Sequence, residues 1–162
     1  MSTETIKAGD APLGVTPSQT VGPFYGYALP YDEGPFLVAA DHPQAIRVRG
    51  RVSDGAGNPI SDAILEICLA GGAFGRCPTD ADGEYEFRLP RPDGYVAMLV
   101  FMRGLLKPVA TRVYLTDDPA DPLLASVDPE RRGTLIATPE DDGVYRFDIH
   151  MQGDQETVFL AA

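Results

Sequence analysis

The chain has 162 residues, a net charge of -11 at pH 7 and an isoelectric point near 4.4. Its length suits one domain with a hydrophobic core, and its charge argues against nucleic acids and anionic membranes as partners. The longest apolar run, residues 95–102, is too short to cross a bilayer, and residues 1–15 lack the features of a signal peptide. The cytoplasm is therefore the predicted location.

Short alternating runs, separated by glycine and proline, predict an all-β protein. In residues 45–52 the apolar side chains alternate with Arg47, Arg49 and Arg51, which predicts a half-buried strand with a basic outer face. Further strands are predicted over residues 60–69, 95–102, 109–115, 144–151 and 156–160. Residues 79–89 are predicted to form an Asp-Gly turn followed by a strand with Tyr85, Phe87 and Leu89 on one face. This spacing of strands and turns fits a β-sandwich.

Two segments carry more specific expectations. The run YVAMLVFM (95–102) is apolar throughout, which predicts a central strand buried on both faces. A single short helix is predicted after Asp128, which would cap it, with Pro129 in the first turn and Gly133 at the end.

The N-terminal region contains prolines and aromatic residues but no clear period. Residues 1–15 are expected to form a loose arm, and residues 16–162 a single domain. Residues 16–45, which begin TPSQTVGPFY, are expected to form an irregular ordered segment against a surface. The predicted fold is thus a β-sandwich with a proline-rich irregular N-terminal arm.

The sequence offers few residues for catalysis. Cys68 and Cys77 are expected to be unpaired thiols in a reducing compartment, with a disulfide as the alternative. His42 and His150 are expected to have surface or capping roles, and these four residues do not make a zinc pattern. Arg103, which directly follows the apolar run, is either a structurally paired side chain or a positive charge for an anionic ligand.

Several motifs together resemble the intradiol ring-cleavage dioxygenases. VRGRVSDGAGNPISDAILEIC (48–68) is similar to their signature segment, and TPSQTVGPFY, FMRG, TRVYL, RRGTLIA and YRFDIHMQGDQETVFL are similar to further landmarks in the same order. The resemblance implies a β-sandwich subunit of an enzyme that opens catechol-type rings with ferric iron and O2. It is strongest for the alpha-type chains of two-chain members, whose substrate is protocatechuate.

In that family two tyrosines and two histidines hold Fe(III), and the histidines form a His-x-His pair. Here Tyr95 and Ala97 stand at about the histidine positions, and the sequence contains no His-x-His. The resemblance therefore implies that a homologous beta chain binds the iron, while this chain holds no metal and no catalytic residue.

The resemblance also implies which residues bind substrate. Thr20, Gly22, Pro23 and Arg103 would form one wall of a pocket between the two chains. A Gly-Pro turn lets the backbone approach a flat ring closely, and an arginine suits a carboxylate. For Thr20 to Pro23, packing in the interface is the alternative.

Two other classes of protein remain open. Residues 48–67 and 79–87 also resemble non-catalytic modules of the carboxypeptidase-regulatory type, although that pattern stops near residue 90. A single-chain dioxygenase would need its own iron ligands and a helical N-terminal region. The short link from Cys68 to Cys77 also predicts that the loops flanking an active site are shortened.

Overall fold

The computed structural model describes Gly22 and residues 25–160, and within these residues the fold is mostly strand. The strands are β1 (Ala45–Ser53), β2 (Ile64–Cys68), β3 (Phe74–Pro78), β4 (Glu84–Pro90), β5 (Tyr95–Phe101), β6 (Val109–Tyr114), β7 (Thr138–Asp141), β8 (Val144–Arg146) and β9 (Ile149–His150). The helices are α1 (Tyr25–Ala28), α2 (Pro122–Ser126) and α3 (Pro129–Arg132), followed by a 3-10 turn at Gly133–Leu135.

The strands form two sheets. One has the order β4-β1-β8-β7, with β9 also paired to β1, and the other has the order β3-β2-β5-β6. Strand β1 runs antiparallel to β4 and parallel to both β8 and β9. This two-layer arrangement confirms the predicted β-sandwich.

The core lies between the two sheets, where alternate residues point inward. Val52, Phe87 and Leu89 of the first sheet and Leu65 and Val100 of the second are fully buried. Full burial of each such side chain contributes about 1.5–3 kcal/mol. A smaller cluster of Tyr114, Leu124 and Leu135 fastens α2 and the 3-10 turn beside β6.

Two strand predictions were wrong in part, and two strands were missed. The run 144–151 is split into β8 and β9. At the break the Phe147 carbonyl accepts a hydrogen bond from Tyr85 Oη at 2.6 Å, and the Asp148 side chain accepts one from the Arg51 N–H at 2.9 Å. Residues 156–160 form only a bridge between Leu160 and Ala110, and β3 and β7 were not predicted. The helix after Asp128 is confirmed, since its carboxylate accepts a hydrogen bond from the Glu130 N–H at 2.9 Å.

Strand β5 is not buried on both sides. One of its faces lies in the core, but Tyr95, Ala97 and Phe101 are half-buried and Leu99 is 36% exposed. They belong to what we call the outer face, the side of the four-stranded sheet turned away from the core. Its apolar members include Ile64, Cys68, Phe74, Ala97, Leu99, Phe101 and Ala110, and the same face carries Glu66, Arg76 and Arg112.

Cys68 and Cys77 are both free thiols, Cys68 exposed and Cys77 buried, so the alternative of a disulfide is wrong. Within the described part of the chain, no helix has the length and apolar character that crossing a membrane requires.

Candidate functional site

Strand pairing places Arg103 next to an acidic residue at one end of the four-stranded sheet. Strands β2 and β5 are antiparallel with Ile64 opposite Phe101. Asp62 lies two residues before Ile64 and Arg103 two residues after Phe101, so this pairing brings both to the same end of the sheet. Gly104 follows with a φ of +91°, a conformation that glycine adopts readily, so the chain turns away immediately after Arg103.

The Arg103 guanidinium donates through Nε to Oδ2 of Asp62 and forms an ion pair with it. The Arg103 side chain is 68% exposed and that of Asp62 is 32% exposed. The pair therefore lies at the rim of the sandwich, with the rest of the guanidinium turned toward solvent. An exposed guanidinium of this kind can bind a carboxylate through its remaining N–H groups.

Tyr25 joins this pair from the N-terminal side. Its hydroxyl donates a hydrogen bond to the Asp62 carbonyl oxygen at 2.9 Å, and its side chain is buried. Burial, with a smaller contribution from the negative charge of Asp62, raises the pKa of Tyr25 to about 12, although the charge and backbone N–H of Arg103 act in the opposite direction. Tyr25 therefore stays a neutral hydrogen-bond donor at physiological pH.

The backbone on both sides of Asp62 is held by the buried hydroxyl of Thr79. This hydroxyl accepts a hydrogen bond from the Ala63 N–H at 3.1 Å and donates one to the Ile60 carbonyl at 2.8 Å. Because the connection before β2 is clamped at two points, Asp62 projects from a fixed segment of backbone.

Of the four substrate-binding residues predicted from the sequence, the described residues include Gly22 and Arg103. Gly22 is half-buried and has a φ of +74°. It precedes Tyr25 by three residues, so their Cα atoms are separated by at most about 11 Å. Thr20 and Pro23 lie outside the described residues, as does the predicted arm of residues 1–15.

Arg112, an arginine of strand β6, is engaged in contacts within the outer face. Its guanidinium carbon lies 3.7 Å from the ring centroid of Tyr95, and Nη1 donates to Tyr114 Oη at 3.2 Å. Tyr114 Oη in turn donates to Asp121 Oδ1 at 3.1 Å. A guanidinium thus covers the ring of Tyr95.

The residues present do not fit an iron ion. No group of three or more His, Cys, Asp or Glu side chains that could hold a metal occurs among the described residues. His150 Nδ1 hydrogen-bonds Ser53 Oγ at 3.1 Å, and His42 Nδ1 accepts from the Gln44 N–H at 3.2 Å, so each histidine has a local partner. The cation over Tyr95 also disfavours a metal ion at that ring.

Sequence reasoning missed three residues of this site, namely Tyr25, Asp62 and Thr79. Their role follows from the register of β2 against β5 and from the course of the chain before β1. The local sequence pattern predicts neither of these. The available signal was an aspartate just before an apolar strand that can pair with the strand ending at Arg103.

Comparison with solved structures shows which class of protein has this fold. The dioxygenase domain of a dioxygenase carbohydrate-binding protein fusion from Streptomyces sp. SirexAA-E superimposes with a TM-score of 0.56 at 22% identity, covering 85% of this chain and 98% of that one. The fold is that of the intradiol dioxygenases. No protein-family model matches the chain.

Sequence comparison gives the family. The chain is 37% identical to the protocatechuate 3,4-dioxygenase alpha chain of Burkholderia cepacia, over 91% of this chain and 98% of the relative. It is 33% identical to the chain of the same name from Pseudomonas putida, over 91% of this chain and 96% of the relative. The chain belongs to the family of protocatechuate 3,4-dioxygenase alpha chains.

This result bears on the alternatives raised by the sequence. The match extends far beyond residue 90, where the pattern of a carboxypeptidase-regulatory module stops, so that alternative is not favoured. The relatives are chains of an enzyme, and their naming as alpha chains implies a second, beta chain in the assembly. Membership of this family also implies iron in the assembled enzyme.

Proposed function

We propose that this chain is the alpha subunit of a protocatechuate 3,4-dioxygenase and forms one wall of an active site completed by a beta chain. The main support is its 37% identity to a protocatechuate 3,4-dioxygenase alpha chain over nearly the whole of both sequences. The beta chain would hold Fe(III) through two tyrosines and two histidines. The reaction adds both atoms of O2 to protocatechuate and opens the ring between its two hydroxyl-bearing carbons, giving 3-carboxy-cis,cis-muconate.

In this proposal Arg103 binds the substrate carboxylate, and Thr20, Gly22 and Pro23 line the ring. An arginine is needed because a chain of net charge -11 otherwise repels an anionic substrate. The exposed guanidinium at the rim supports this role, as does the short stretch of chain between Gly22 and Tyr25. Residues 16–162 would act as a single domain after an arm of residues 1–15. The two free thiols support a cytoplasmic location.

The test is to co-express this chain with its candidate beta chain and to measure iron content and oxygen uptake with protocatechuate. One iron per alpha-beta pair and stoichiometric oxygen uptake are expected. The Arg103→Ala variant should keep its iron and raise KM for protocatechuate about tenfold, because a hydrogen bond to a charged group is lost.

Arg47→Ala is the matched control, since Arg47 is also an exposed arginine in an ion pair, with Glu86. Both residues of this control pair lie on the sheet that does not carry Arg103. The Arg47→Ala variant should leave KM unchanged. A complex without oxygen uptake would remove the proposed function, whereas an active complex with an unaltered Arg103→Ala variant would remove only Arg103 from the site.

A further inference from the structure

Asp62 is the ion-pair partner of the Arg103 side chain. Five ion pairs are formed among the described residues, and the arginine of this pair is the most exposed of the five. An arginine so exposed ordinarily samples many rotamers, and fixing it on binding costs conformational entropy. The contact through Nε holds the inner edge of the guanidinium and leaves both Nη groups available.

We infer that Asp62 is a positioning residue that holds Arg103 toward the carboxylate of the substrate and so favours carboxylated catechols. This inference rests on the proposed function. Asp62 does not itself touch the substrate in this account. Its effect is exerted on Arg103, whose ordering is completed before the substrate arrives.

Asp62 is suited to this role because three hydrogen bonds hold the backbone at and beside it. Tyr25 Oη donates to its carbonyl, and Thr79 Oγ1 bonds the neighbouring backbone at Ile60 and Ala63. A carboxylate on a mobile loop would move together with the arginine and would not direct it. The pairing of β2 with β5 adds a further constraint, since it fixes Ile64 opposite Phe101, two residues from Asp62 and from Arg103 respectively.

Asp62 could act on Arg103 by positioning it or by neutralising its charge. The two roles predict opposite effects on anion binding when Asp62 is replaced, so an experiment can separate them. If Asp62 mainly neutralises Arg103, removing its charge strengthens the binding of an anion. If it mainly positions Arg103, loss of the side chain weakens that binding, and an amide of the same shape restores it, because its oxygen still accepts from Nε. The geometry points to the second case.

The experiment uses the alpha-beta complex and measures oxygen uptake with protocatechuate and competitive inhibition by catechol, which lacks the carboxylate. Asp62→Ala is expected to raise KM for protocatechuate about three- to fivefold with kcat and iron content unchanged. The inhibition constant of catechol should not change. Asp62→Asn should recover most of the loss, and adding Asp62→Ala to Arg103→Ala should have no further effect on KM.

Glu86→Ala, which removes the partner of Arg47, is the control for losing an ion pair elsewhere, and it should leave KM unaltered. The inference is overturned if Asp62→Ala leaves or lowers KM, if Asp62→Asn is as impaired as Asp62→Ala, or if the loss persists in the Arg103→Ala background. If the complex is active and Arg103→Ala raises KM but Asp62→Ala does not, the inference about Asp62 is refuted and the proposed function stands. A wild-type complex that does not oxidise protocatechuate refutes the proposed function together with it.

Discussion

Two tyrosines have hydroxyl groups that are removed from solvent and bonded to backbone carbonyls. Tyr25 bonds the carbonyl of Asp62, and Tyr85 bonds that of Phe147. Burial is the largest cause of the raised pKa in both, which reaches about 12 for Tyr25 and lies well above 10 for Tyr85. Each hydroxyl is therefore held neutral in the folded chain at a pH where the unfolded chain ionises.

This difference predicts a loss of stability in alkaline solution. Because the pKa of Tyr25 is 10.0 in the unfolded chain and about 12 in the folded one, its contribution is complete below pH 10 and declines between pH 10 and 12. Urea unfolding across this range should show a shallower pH dependence for Tyr25→Phe than for the wild type. Tyr27→Phe is the control, since Tyr27 is largely exposed, and an equal effect of the two substitutions would contradict the explanation.

The two cysteines should differ in reactivity. Cys68 is exposed on the outer face, whereas Cys77 is buried and burial raises the pKa of its thiol. A maleimide reagent at neutral pH is expected to modify Cys68 quickly and Cys77 only on unfolding. Mass spectrometry of tryptic peptides measures both sites, and rapid labelling of Cys77 in the folded chain would be inconsistent with this structure.

At the level of elements, helix α2 depends on one aspartate. Asp121 Oδ1 accepts hydrogen bonds from the N–H groups of Leu123 at 2.8 Å and Leu124 at 3.0 Å and from Tyr114 Oη. These hydrogen bonds lower the pKa of Asp121, and the bond from the Leu124 N–H has the largest effect. The contribution of Asp121 to stability is therefore present above pH 3.8 and is lost as the pH falls further. Asp121→Ala should lower the free energy of unfolding at pH 7 by about 1 kcal/mol, and the exposed Asp117→Ala should not.

Strand β1 contains a glycine that no larger residue can replace without moving backbone. A Cβ on Gly50 would lie 1.9 Å from the carbonyl oxygen of Phe147, at the break between β8 and β9. We expect Gly50→Ala to destabilise the chain by about 2 kcal/mol or more. Gly133→Ala is the control, because nothing lies within 4 Å of a Cβ there. Thermal unfolding of both variants measures the difference. A Gly50→Ala variant as stable as the wild type would contradict the close approach of Gly50 to the Phe147 carbonyl.

The sequence pattern was sufficient for strands with one buried face and insufficient elsewhere. Strands β1 and β4 were predicted correctly because their apolar side chains alternate strictly. Strand β3 was missed because Gly75 and Pro78 weaken its pattern, and β7 because all four of its residues are exposed. The continuous apolar run of β5 led to the wrong prediction that both of its faces are buried. An apolar composition does not show whether a second layer covers the outer side of a sheet.

The same limit applies to the site. Arg103 could be found because an arginine at the end of an apolar strand is a local feature. Asp62 and Thr79 could not, because their relation to Arg103 arises only when β2 and β5 pair. The short link between Cys68 and Cys77 is a tight hairpin in which the Leu69 N–H donates to the Ala73 carbonyl at 2.9 Å. That active-site loops are shortened relative to the family stays a prediction.

At the scale of the whole molecule, the outer face predicts poor behaviour of the isolated chain. Leu99 and Phe74 are large apolar side chains exposed on this face, which favours association. Sedimentation velocity should show concentration-dependent self-association of the chain alone, reduced by Leu99→Lys. Leu106→Lys is the control, since Leu106 is an exposed leucine outside the strands. A wild-type chain that remains a monodisperse monomer at high concentration would argue against this expectation.

The β2–β3 hairpin bears on how this chain can vary in length. The alignment with the Burkholderia relative runs over 192 residues, more than the 162 of this chain, so the relative contains segments that are absent here. The turn between the strands holds Gly71 and Gly72, both at positive φ and open to solvent. Doubling a loop costs only about 0.6 kcal/mol in closure entropy. We therefore expect this turn to accept inserted residues with little loss of stability of the β-sandwich.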